Sequence, residues 1–148
     1  MKWAEIVGDR AVLDASVAIR WFVEEPGSDA ALALFTLPTR WLAPRLLLSE
    51  FAGALARKAE LGDIRAVAGT QAMAVMRRMV QGHLISLADD EAHIDRAYEL
   101  AVSIGHRVAD CLYLALAEAT HLPLATADGK MARLAKRQRI PVALVPSI

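Results

Sequence analysis

Four carboxylates in this sequence lie in or beside apolar segments, where a charged side chain needs a specific reason. They are Asp14 in VLDASV, Glu50 in SEFAGALARK, Asp110 in ADCLYLALAE and Asp128 in TADGKM. Carboxylates that converge at one place repel one another and raise their pKa values unless a cation neutralises them. Oxygen ligands alone favour a hard divalent ion such as Mg²⁺ or Mn²⁺, and carboxylate-bound Mg²⁺ is typical of phosphodiester chemistry.

Each of these acids also has an ordinary structural explanation. Asp110 could cap the helix that it opens, at the favourable end of the helix dipole. Asp128 belongs to an Asp-Gly pair, which is common in turns. Asp14 could be a turn residue, although Ser16 is the better candidate for capping the next helix. Glu50 lies within a helix, where most glutamates face solvent. The functional hypothesis therefore depends on the four acids acting together.

Zinc is disfavoured as the metal, because the sequence has no cluster of cysteine and histidine at zinc-binding spacing. The single cysteine excludes an internal disulfide and fits a reducing cytosol. The four histidines are scattered, and we expect surface or capping roles for them: His83, His93, His106 and His121.

Short apolar strands alternate with helices along the chain, which predicts an α/β fold with a parallel sheet covered by helices on both faces. The strands are predicted at 11–14, 41–44, 84–88, 123–126 and 142–145. Asp14 ends the first of these strands and Asp128 follows the fourth. Since the carboxyl ends of parallel strands meet at one edge of a sheet, the two acids are expected at the same edge.

The helices needed to position the other two acids also have recognisable patterns. Residues 111–117 are all apolar or small, which predicts a helix buried on every side behind Asp110. Another helix, over 46–61, carries Glu50 beside an apolar face. Two further helices are predicted over 17–25 and 63–81.

Two sets of large side chains in the sequence have more than one interpretation. Trp21 and Trp41 could belong to the core or to a groove. The methionines at Met73, Met76 and Met79 favour a core face, but they could also pack against a partner protein.

The segment 130–139 is strongly basic. The default interpretation is a solvated helix face, but next to an acidic metal site the same side chains could hold an RNA backbone. The candidate RNA-binding residues are Lys130, Arg133, Lys136 and Arg137.

Length and composition indicate one globular domain over residues 1–148, long enough to bury about 70% of its unfolded surface. Hydrophobic residues make up 55% of the chain and charged residues 23%. The 17 basic and 17 acidic side chains cancel, so a polyanion would have to bind a local patch. The sequence has neither a signal-peptide pattern nor a long apolar run, and we expect a cytoplasmic protein without a membrane span.

The four acidic segments together resemble the PIN domain and, more narrowly, the VapC-type ribonuclease toxins of bacterial and archaeal type II toxin–antitoxin modules. The DASV, Asp-x-x-Tyr-x-ALAE and Thr-x-Asp motifs occur in the expected order over nearly the whole chain. Cys111 stands where the family usually has alanine, and a small thiol in a buried helix should be tolerated.

The resemblance implies a three-layer α/β/α sandwich with a five-stranded parallel sheet in the order 3-2-1-4-5. It implies a metal-dependent endoribonuclease that inhibits translation or growth, with a VapB-type antitoxin as partner and a homodimer as the expected assembly. Asp14, Asp110 and Asp128 would hold Mg²⁺ (or Mn²⁺), and Glu50 would orient or activate the attacking water. The supporting hydroxyls would be those of Ser16 and Thr126.

Three other classes of protein were weighed against this hypothesis. A phosphatase of the haloacid-dehalogenase type needs a second acid two residues after the first, where this chain has Ser16. A receiver domain needs an adjacent acidic pair near the N-terminus, which the sequence lacks. The third class is a PIN-like RNA- or protein-binding module with a degenerate metal site, and the presence of all four acids argues against it.

Overall fold

The computed structural model describes residues 2–147, and its five strands form a single parallel sheet. The strands are β1 (Arg10–Leu13), β2 (Arg40–Pro44), β3 (Ile85–Ala88), β4 (Leu124–Thr126) and β5 (Val142–Leu144). Their order is β3-β2-β1-β4-β5, and every neighbouring pair is parallel. The predicted fold class and strand order are confirmed.

The central strand β1 is buried on both faces. Val12 is paired with Leu42 of β2 and with Leu124 of β4. Because side chains alternate along a strand, Ala11 and Leu13 belong to one hydrophobic cluster and Val12 belongs to the other. An uninterrupted apolar segment is therefore what this position in a parallel sheet requires.

Helices cover both faces of the sheet and complete the three layers. They are α1 (Trp3–Val7), α2 (Ala15–Arg20), α3 (Ser28–Phe35), α4 (Leu46–Glu60), α5 (Ala66–Gln81), α6 (Ile94–Ile104), α7 (Val108–Thr120) and α8 (Gly129–Arg137), with a 3₁₀ turn at Asp90–His93. Buried side chains of α1 to α5 share one hydrophobic cluster, and those of α6 to α8 share the other.

Helix α7 is the buried helix that its sequence predicts. Every residue from Asp110 to Ala117 is buried. The helix contacts α6 and the strands β1, β2 and β4. A helix held on several sides is a rigid support for the carboxylate near its start.

A sharp turn joins α6 to α7. Gly105 adopts a left-handed conformation there (φ 66°), and the segments Asp90–Ile104 and Val108–Thr120 are bent by 115° relative to each other. Taken together, the two segments have the length and apolar composition of a membrane span, whereas no single helix among residues 2–147 does.

The helix after β1 is shorter than predicted, and Ser16 does not cap it. Helix α2 ends at Arg20 instead of residue 25. The turn after α2 is bridged by a hydrogen bond of 2.7 Å from Arg20 Nε to the carbonyl of Pro26. Asp14 holds the N-cap position, without a capping bond from its side chain, and Ser16 lies within the first turn.

The start of α5 also differs from the prediction. The helix begins at Ala66 instead of Asp63. Gly62 has a left-handed backbone (φ 82°), and the N–H of Asp63 donates to the carbonyl of Lys58 at 2.9 Å. The backbone of Asp63 therefore closes the C-terminal turn that follows α4, as is common where a helix is followed by a left-handed glycine, and Asp63 does not start the next helix.

The two tryptophans and the methionines pack mainly against the core. Trp41 is buried, and its ring centroid lies 5.8 Å from that of Trp21. The indole N–H of Trp21 donates to a backbone carbonyl of α3 at 2.8 Å. Met76 and Met79 are buried on α5, whereas Met73 is half-buried.

Candidate active site

The four predicted acids line one cleft at the carboxyl edge of the sheet. Its volume is about 210 Å³, and we call it the acidic cleft. Asp14 follows β1 and Asp128 follows β4, while Glu50 comes from α4 and Asp110 from α7. Ser16 and Arg107 complete the polar part of the lining. The fold therefore brings together acids that are widely separated in the sequence.

Asp14 is buried at the end of β1 and is held by two hydroxyls. Its Oδ2 accepts hydrogen bonds from Ser16 Oγ and Thr126 Oγ1, each at 2.7 Å. The residue is 7% exposed. Among residues 2–147 no hydrogen bond reaches Oδ1, so this oxygen is free to bind a ligand.

The hydroxyls of Ser16 and Thr126 tie the end of β1 to the end of β4. Ser16 Oγ accepts a hydrogen bond from the N–H of Ala127 at 2.9 Å, and Thr126 Oγ1 accepts one from the N–H of Asp128 at 3.0 Å. Each hydroxyl thus receives a backbone hydrogen bond and donates its own proton to Asp14. The capping role considered for Ser16 is wrong, because its hydroxyl is used by these contacts.

Asp110 does not cap α7 but lies inside its first turn, next to two basic side chains. Arg107 Nη2 and Nε donate to Oδ1 and Oδ2 at 3.2 and 3.4 Å. His106 Nε2 lies 2.7 Å from Oδ2, although it has no aligned hydrogen-bond partner. The His106 side chain is largely buried, so the surface or capping role predicted for this histidine is wrong. The positive charge of Arg107 partly offsets the cost of burying the Asp110 carboxylate.

Glu50 reaches the cleft from α4 and is oriented by Tyr113. The Tyr113 Oη donates to Glu50 Oε1 at 2.7 Å, and the tyrosine is fully buried. The sequence reasoning did not assign Tyr113 or Arg107 to the site. Both lie three residues from Asp110, a spacing that places side chains on one helix face, and this spacing could have identified them.

Asp128 lines the cleft and also caps α8. Its Oδ1 accepts hydrogen bonds from the N–H groups of Lys130 at 2.9 Å and Met131 at 3.3 Å. Asp128 therefore has a local structural role, as its Asp-Gly sequence suggested, and also lines the acidic cleft. Because both capping bonds end on Oδ1, Oδ2 has no hydrogen bond from the described part of the chain.

Burial and mutual repulsion raise the pKa values of Asp14 and Glu50. For Asp14, removal from water is the largest cause; the two hydroxyl hydrogen bonds oppose it, and the charges of Asp110 and Asp128 add to it. For Glu50, burial is again the largest cause of the raised pKa. The hydrogen bond from the Tyr113 phenol opposes the shift, and the charges of Asp14 and Asp110 add to it. The acids are thus close enough to disfavour one another's charge, which favours binding of a cation.

The raised pKa of Asp14 predicts how stability depends on pH. Its folded-state pKa lies above the ordinary value of 3.8, so the folded protein binds this proton more tightly than the unfolded chain. The resulting stabilisation is complete below the ordinary pKa and is lost as pH rises through the folded-state pKa. In chelator-containing buffer, the unfolding free energy of the wild type minus that of Asp14→Asn should therefore fall as pH rises above the ordinary pKa of 3.8.

Urea denaturation of both proteins at several pH values measures this difference. A difference that stays constant, or that grows as pH rises, would contradict the direction of the pKa shift. Asp63→Asn, an exposed change outside the cleft, serves as the control and should show no such trend.

The acidic cleft offers carboxylate oxygens, which are the donors that hard divalent cations prefer, but the acids are not preassembled around a metal position. Among residues 2–147, no three His, Cys, Asp or Glu side chains are grouped closely enough to hold a metal ion. Asp14, Glu50 and Asp128 each keep one carboxylate oxygen without a hydrogen bond from these residues. Both carboxylate oxygens of Asp110 lie beside basic nitrogens, those of Arg107 and His106, and the side chain of Arg107 is largely exposed. A rotation of the Arg107 side chain would free Oδ1 of Asp110, whereas Oδ2 would still lie 2.7 Å from His106 Nε2.

Comparison with known proteins identifies the family of this chain. The chain is similar to PAE2754 from Pyrobaculum aerophilum, with 18% identity, a TM-score of 0.70 and coverage of 95% of this chain and 92% of that chain. It is also similar to VapBC2 from Rickettsia felis, solved bound to a DNA fragment from its promoter, with 14% identity, a TM-score of 0.62 and coverage of 93% and 99%. No curated protein matches the sequence. The PIN domain family model matches residues 11–137, and the chain therefore belongs to the PIN domain family.

Proposed function

We propose that this PIN-domain protein is a divalent-metal-dependent endoribonuclease of the VapC type, folded as one domain over residues 1–148. The observation that carries the proposal is the convergence of Asp14, Glu50, Asp110 and Asp128 on one cleft. Membership of the PIN family supports nuclease activity, and the carboxylate donors support a hard divalent cation.

Three of the acids are proposed as metal ligands. Asp14, Asp110 and Asp128 would hold Mg²⁺, or Mn²⁺, directly or through water. When bound, such an ion lowers the pKa of a coordinated water and neutralises charge on the leaving oxygen. The hydroxyls of Ser16 and Thr126 orient Asp14 for this role, because both donate to the same carboxylate oxygen.

Glu50 is proposed to orient the attacking water and accept its proton. Its raised pKa moves it toward neutral pH, where a general base works best, and Tyr113 fixes one of its oxygens. The water oxygen attacks phosphorus in line and its proton passes to Glu50, while the bond from phosphorus to the 3′ oxygen breaks and that oxygen takes a proton from solvent. The products carry a 5′-phosphate and a 3′-hydroxyl.

Cleavage-site mapping on total RNA with purified protein tests this activity. We expect cleavage with Mg²⁺, loss of cleavage in excess EDTA, and recovery when Mg²⁺ or Mn²⁺ is added back. The mapped products should carry 5′-phosphates. Undiminished cleavage in EDTA would overturn the metal-dependent mechanism.

Replacing Arg107 with alanine should tighten metal binding. Arg107 competes with a metal ion for both oxygens of Asp110, but its guanidinium is largely exposed. An exposed ion pair contributes at most about 1 kcal/mol, so we expect the Kd for Mn²⁺ in calorimetry to fall by up to about fivefold.

The matched control for this measurement is Arg96→Ala. It removes another exposed arginine–carboxylate pair, Arg96–Glu118, that lies outside the acidic cleft. The control should leave the Kd for Mn²⁺ unchanged. Weaker Mn²⁺ binding by Arg107→Ala would show that Arg107 does not compete with the metal.

The exposed basic side chains of α8 are proposed to bind the RNA backbone. They follow directly on Asp128, and the set is Lys130, Arg133, Lys136 and Arg137. Because the chain has no net charge, this local patch would provide much of the attraction for a polyanion.

We further propose a cytoplasmic toxin that inhibits translation or growth, forms a homodimer and is neutralised by a VapB-type antitoxin. Similarity of the fold to the VapBC2 structure supports this assignment. Expression of the protein alone should arrest growth, and co-expression of a partner encoded next to it should relieve the arrest. Arrest that persists in an Asp110→Asn variant would contradict toxicity through RNA cleavage.

A PIN-like binding module with a degenerate metal site is the second candidate. The pairing of Arg107 with Asp110 and the absence of a preformed metal cluster among residues 2–147 favour it. Calorimetry with Mn²⁺ separates the two candidates, since a degenerate module should bind no Mn²⁺ at the acidic cleft.

A further inference from the structure

His106 is a buried polar side chain that the proposed mechanism does not use. Its side chain is 8% exposed, and its Nε2 atom is buried without an aligned hydrogen-bond partner among residues 2–147. Buried polar atoms are nearly always hydrogen-bonded, so one without a partner needs a specific explanation. The atom lies 2.7 Å from Oδ2 of Asp110, which is one of the proposed metal ligands.

The turn between α6 and α7 fixes the position of His106. Gly105 has the left-handed backbone that commonly follows a helix (φ 66°), and the N–H of His106 donates to the carbonyl of Ala101 at 3.2 Å. A bond of this span is characteristic of the Schellman motif, in which the residue after the glycine usually packs back against its helix with an apolar side chain. A histidine at this position is therefore turned inward, where its polar nitrogen requires a partner.

The short distance between His106 and Asp110 indicates which imidazole nitrogen carries the proton. If Nε2 had no proton, its lone pair would face the lone pairs of Oδ2 at 2.7 Å, and the two atoms would repel each other. Both the imidazolium and one neutral tautomer carry a proton on Nε2, so no positive charge is needed. His106 is thus placed as a donor to Asp110, and a small rotation of either side chain would align the bond.

Two donors of different kinds contact the carboxylate of Asp110. Arg107 lines the acidic cleft and its side chain is 72% exposed, whereas His106 is buried and does not line the cleft. The arginine contacts are 3.2 and 3.4 Å long, beyond the range of about 2.7–2.9 Å that is usual for hydrogen bonds between charged groups. A cation that enters the cleft can therefore replace the arginine but has no access to the place of the histidine.

Asp14 shows the same arrangement in a completed form. Its Oδ2 accepts hydrogen bonds from Ser16 and Thr126, and no hydrogen bond from residues 2–147 reaches its Oδ1. One oxygen of that carboxylate is thus held by the protein while the other is free for a ligand. At Asp110, His106 stands beside Oδ2 in the same way, and Oδ1 is occupied by the exchangeable Arg107.

We propose that His106 is a positioning residue of the acidic cleft: its Nε2–H holds Oδ2 of Asp110, so that Oδ1 is presented to a cation when Arg107 leaves it. The proposal rests on the proposed metal-dependent function and adds a residue outside the cleft lining on which metal binding depends. Carboxylates that bind metals are commonly held by such hydrogen bonds, and loss of the bond costs about 10- to 100-fold in metal affinity or activity.

Calorimetry with Mn²⁺ measures this contribution without any cleavage. His106→Leu fills the buried position with a side chain of similar size but has no donor, and it should raise the Kd for Mn²⁺ about 10- to 100-fold. His106→Gln keeps a side-chain N–H at nearly the same distance from the backbone as Nε2, and it should restore most of the lost affinity. Thermal unfolding verifies that both variants are folded.

The matched control is His93→Leu, which removes a half-buried histidine of the 3₁₀ turn that does not line the acidic cleft. It should bind Mn²⁺ like the wild type. A wild-type Kd in His106→Leu, or a glutamine variant as weak as the leucine variant, overturns the positioning role and leaves the metal site standing. A wild-type protein that binds no Mn²⁺ would overturn the metal-dependent function together with this proposal.

Nuclear magnetic resonance of the metal-free protein tests the donor directly. In EDTA at about pH 8, where ordinary histidines are neutral, a long-range proton–nitrogen correlation spectrum of ¹⁵N-labelled protein should show the proton of His106 on Nε2. The resonances of this imidazole are assigned by their absence from the spectrum of His106→Gln. A proton found on Nδ1 alone overturns the proposal, because Nε2 could then not donate to Asp110.

Discussion

Replacing Asp110 with asparagine should slow RNA cleavage by about a thousandfold while the protein remains folded. A carboxylate-bound metal contributes several kcal/mol to stabilising the transition state, and each 1.36 kcal/mol corresponds to about tenfold in rate. Asparagine keeps the size of the side chain and an oxygen that can accept the hydrogen bond from Arg107. The change therefore removes the ligand charge without opening a gap in α7.

Single-turnover cleavage of a mapped RNA substrate measures the loss, and thermal unfolding verifies the fold. Asp95→Asn makes the same chemical change at an exposed position on α6 that does not line the acidic cleft, and it should cleave like the wild type. Calorimetry should detect weaker Mn²⁺ binding by Asp110→Asn. A variant with full cleavage activity would remove Asp110 from the proposed mechanism.

Truncating Leu114 to alanine should lower the unfolding free energy by about 3–5 kcal/mol. Leu114 is fully buried in α7, on the helix that supports Asp110. Removing a packed leucine costs the transfer free energy of the lost carbon atoms and leaves a cavity that the surrounding structure fills only in part. Because domains of this size are stable by only about 5–15 kcal/mol, the change removes a large share of the total.

Urea denaturation of the metal-free protein measures this effect. Leu61→Ala is the matched control, since Leu61 is 68% exposed beyond the end of α4 and its truncation should cost less than about 0.5 kcal/mol. Similar values for the two variants would mean that α7 is not packed as tightly as its burial indicates.

Local pattern was sufficient to predict the fold class, an α/β fold with a parallel sheet. Strands such as β1 are short, apolar and followed by polar residues, and their alternation with helices leaves few topologies for a parallel sheet. The resemblance to PIN domains then implied the strand order, which the structure confirms. Helix ends were predicted less accurately. Helix α2 ends at Arg20, and the hydrogen bond from the Arg20 side chain to the carbonyl of Pro26 could not be read from the hydrophobic periodicity of the sequence.

The acids of the site and the two hydroxyls that hold Asp14 were proposed from sequence, whereas the partners of Glu50 and Asp110 were not. Asp14 and Asp128 follow strands that the pattern itself identifies. The bond from Tyr113 to Glu50 instead joins two helices across 63 residues of sequence. The burial of His106 likewise depends on the turn between α6 and α7, which the sequence does not define. A histidine as such had suggested a surface or capping position.

The hydrogen bond between Asp14 and Thr126 spans 112 residues of sequence, which has a consequence for protein synthesis. Translation proceeds from the N-terminus, and early segments can begin to fold before later ones exist. A nascent chain that has not reached β4 lacks Thr126 and Asp128, and the side chain of Asp14 then has no partner to orient it across the sheet. If the proposed function holds, a nascent chain should therefore acquire RNA-cleaving activity only after β4 and Asp128 have been synthesised, and a product that ends before Thr126 should be inactive.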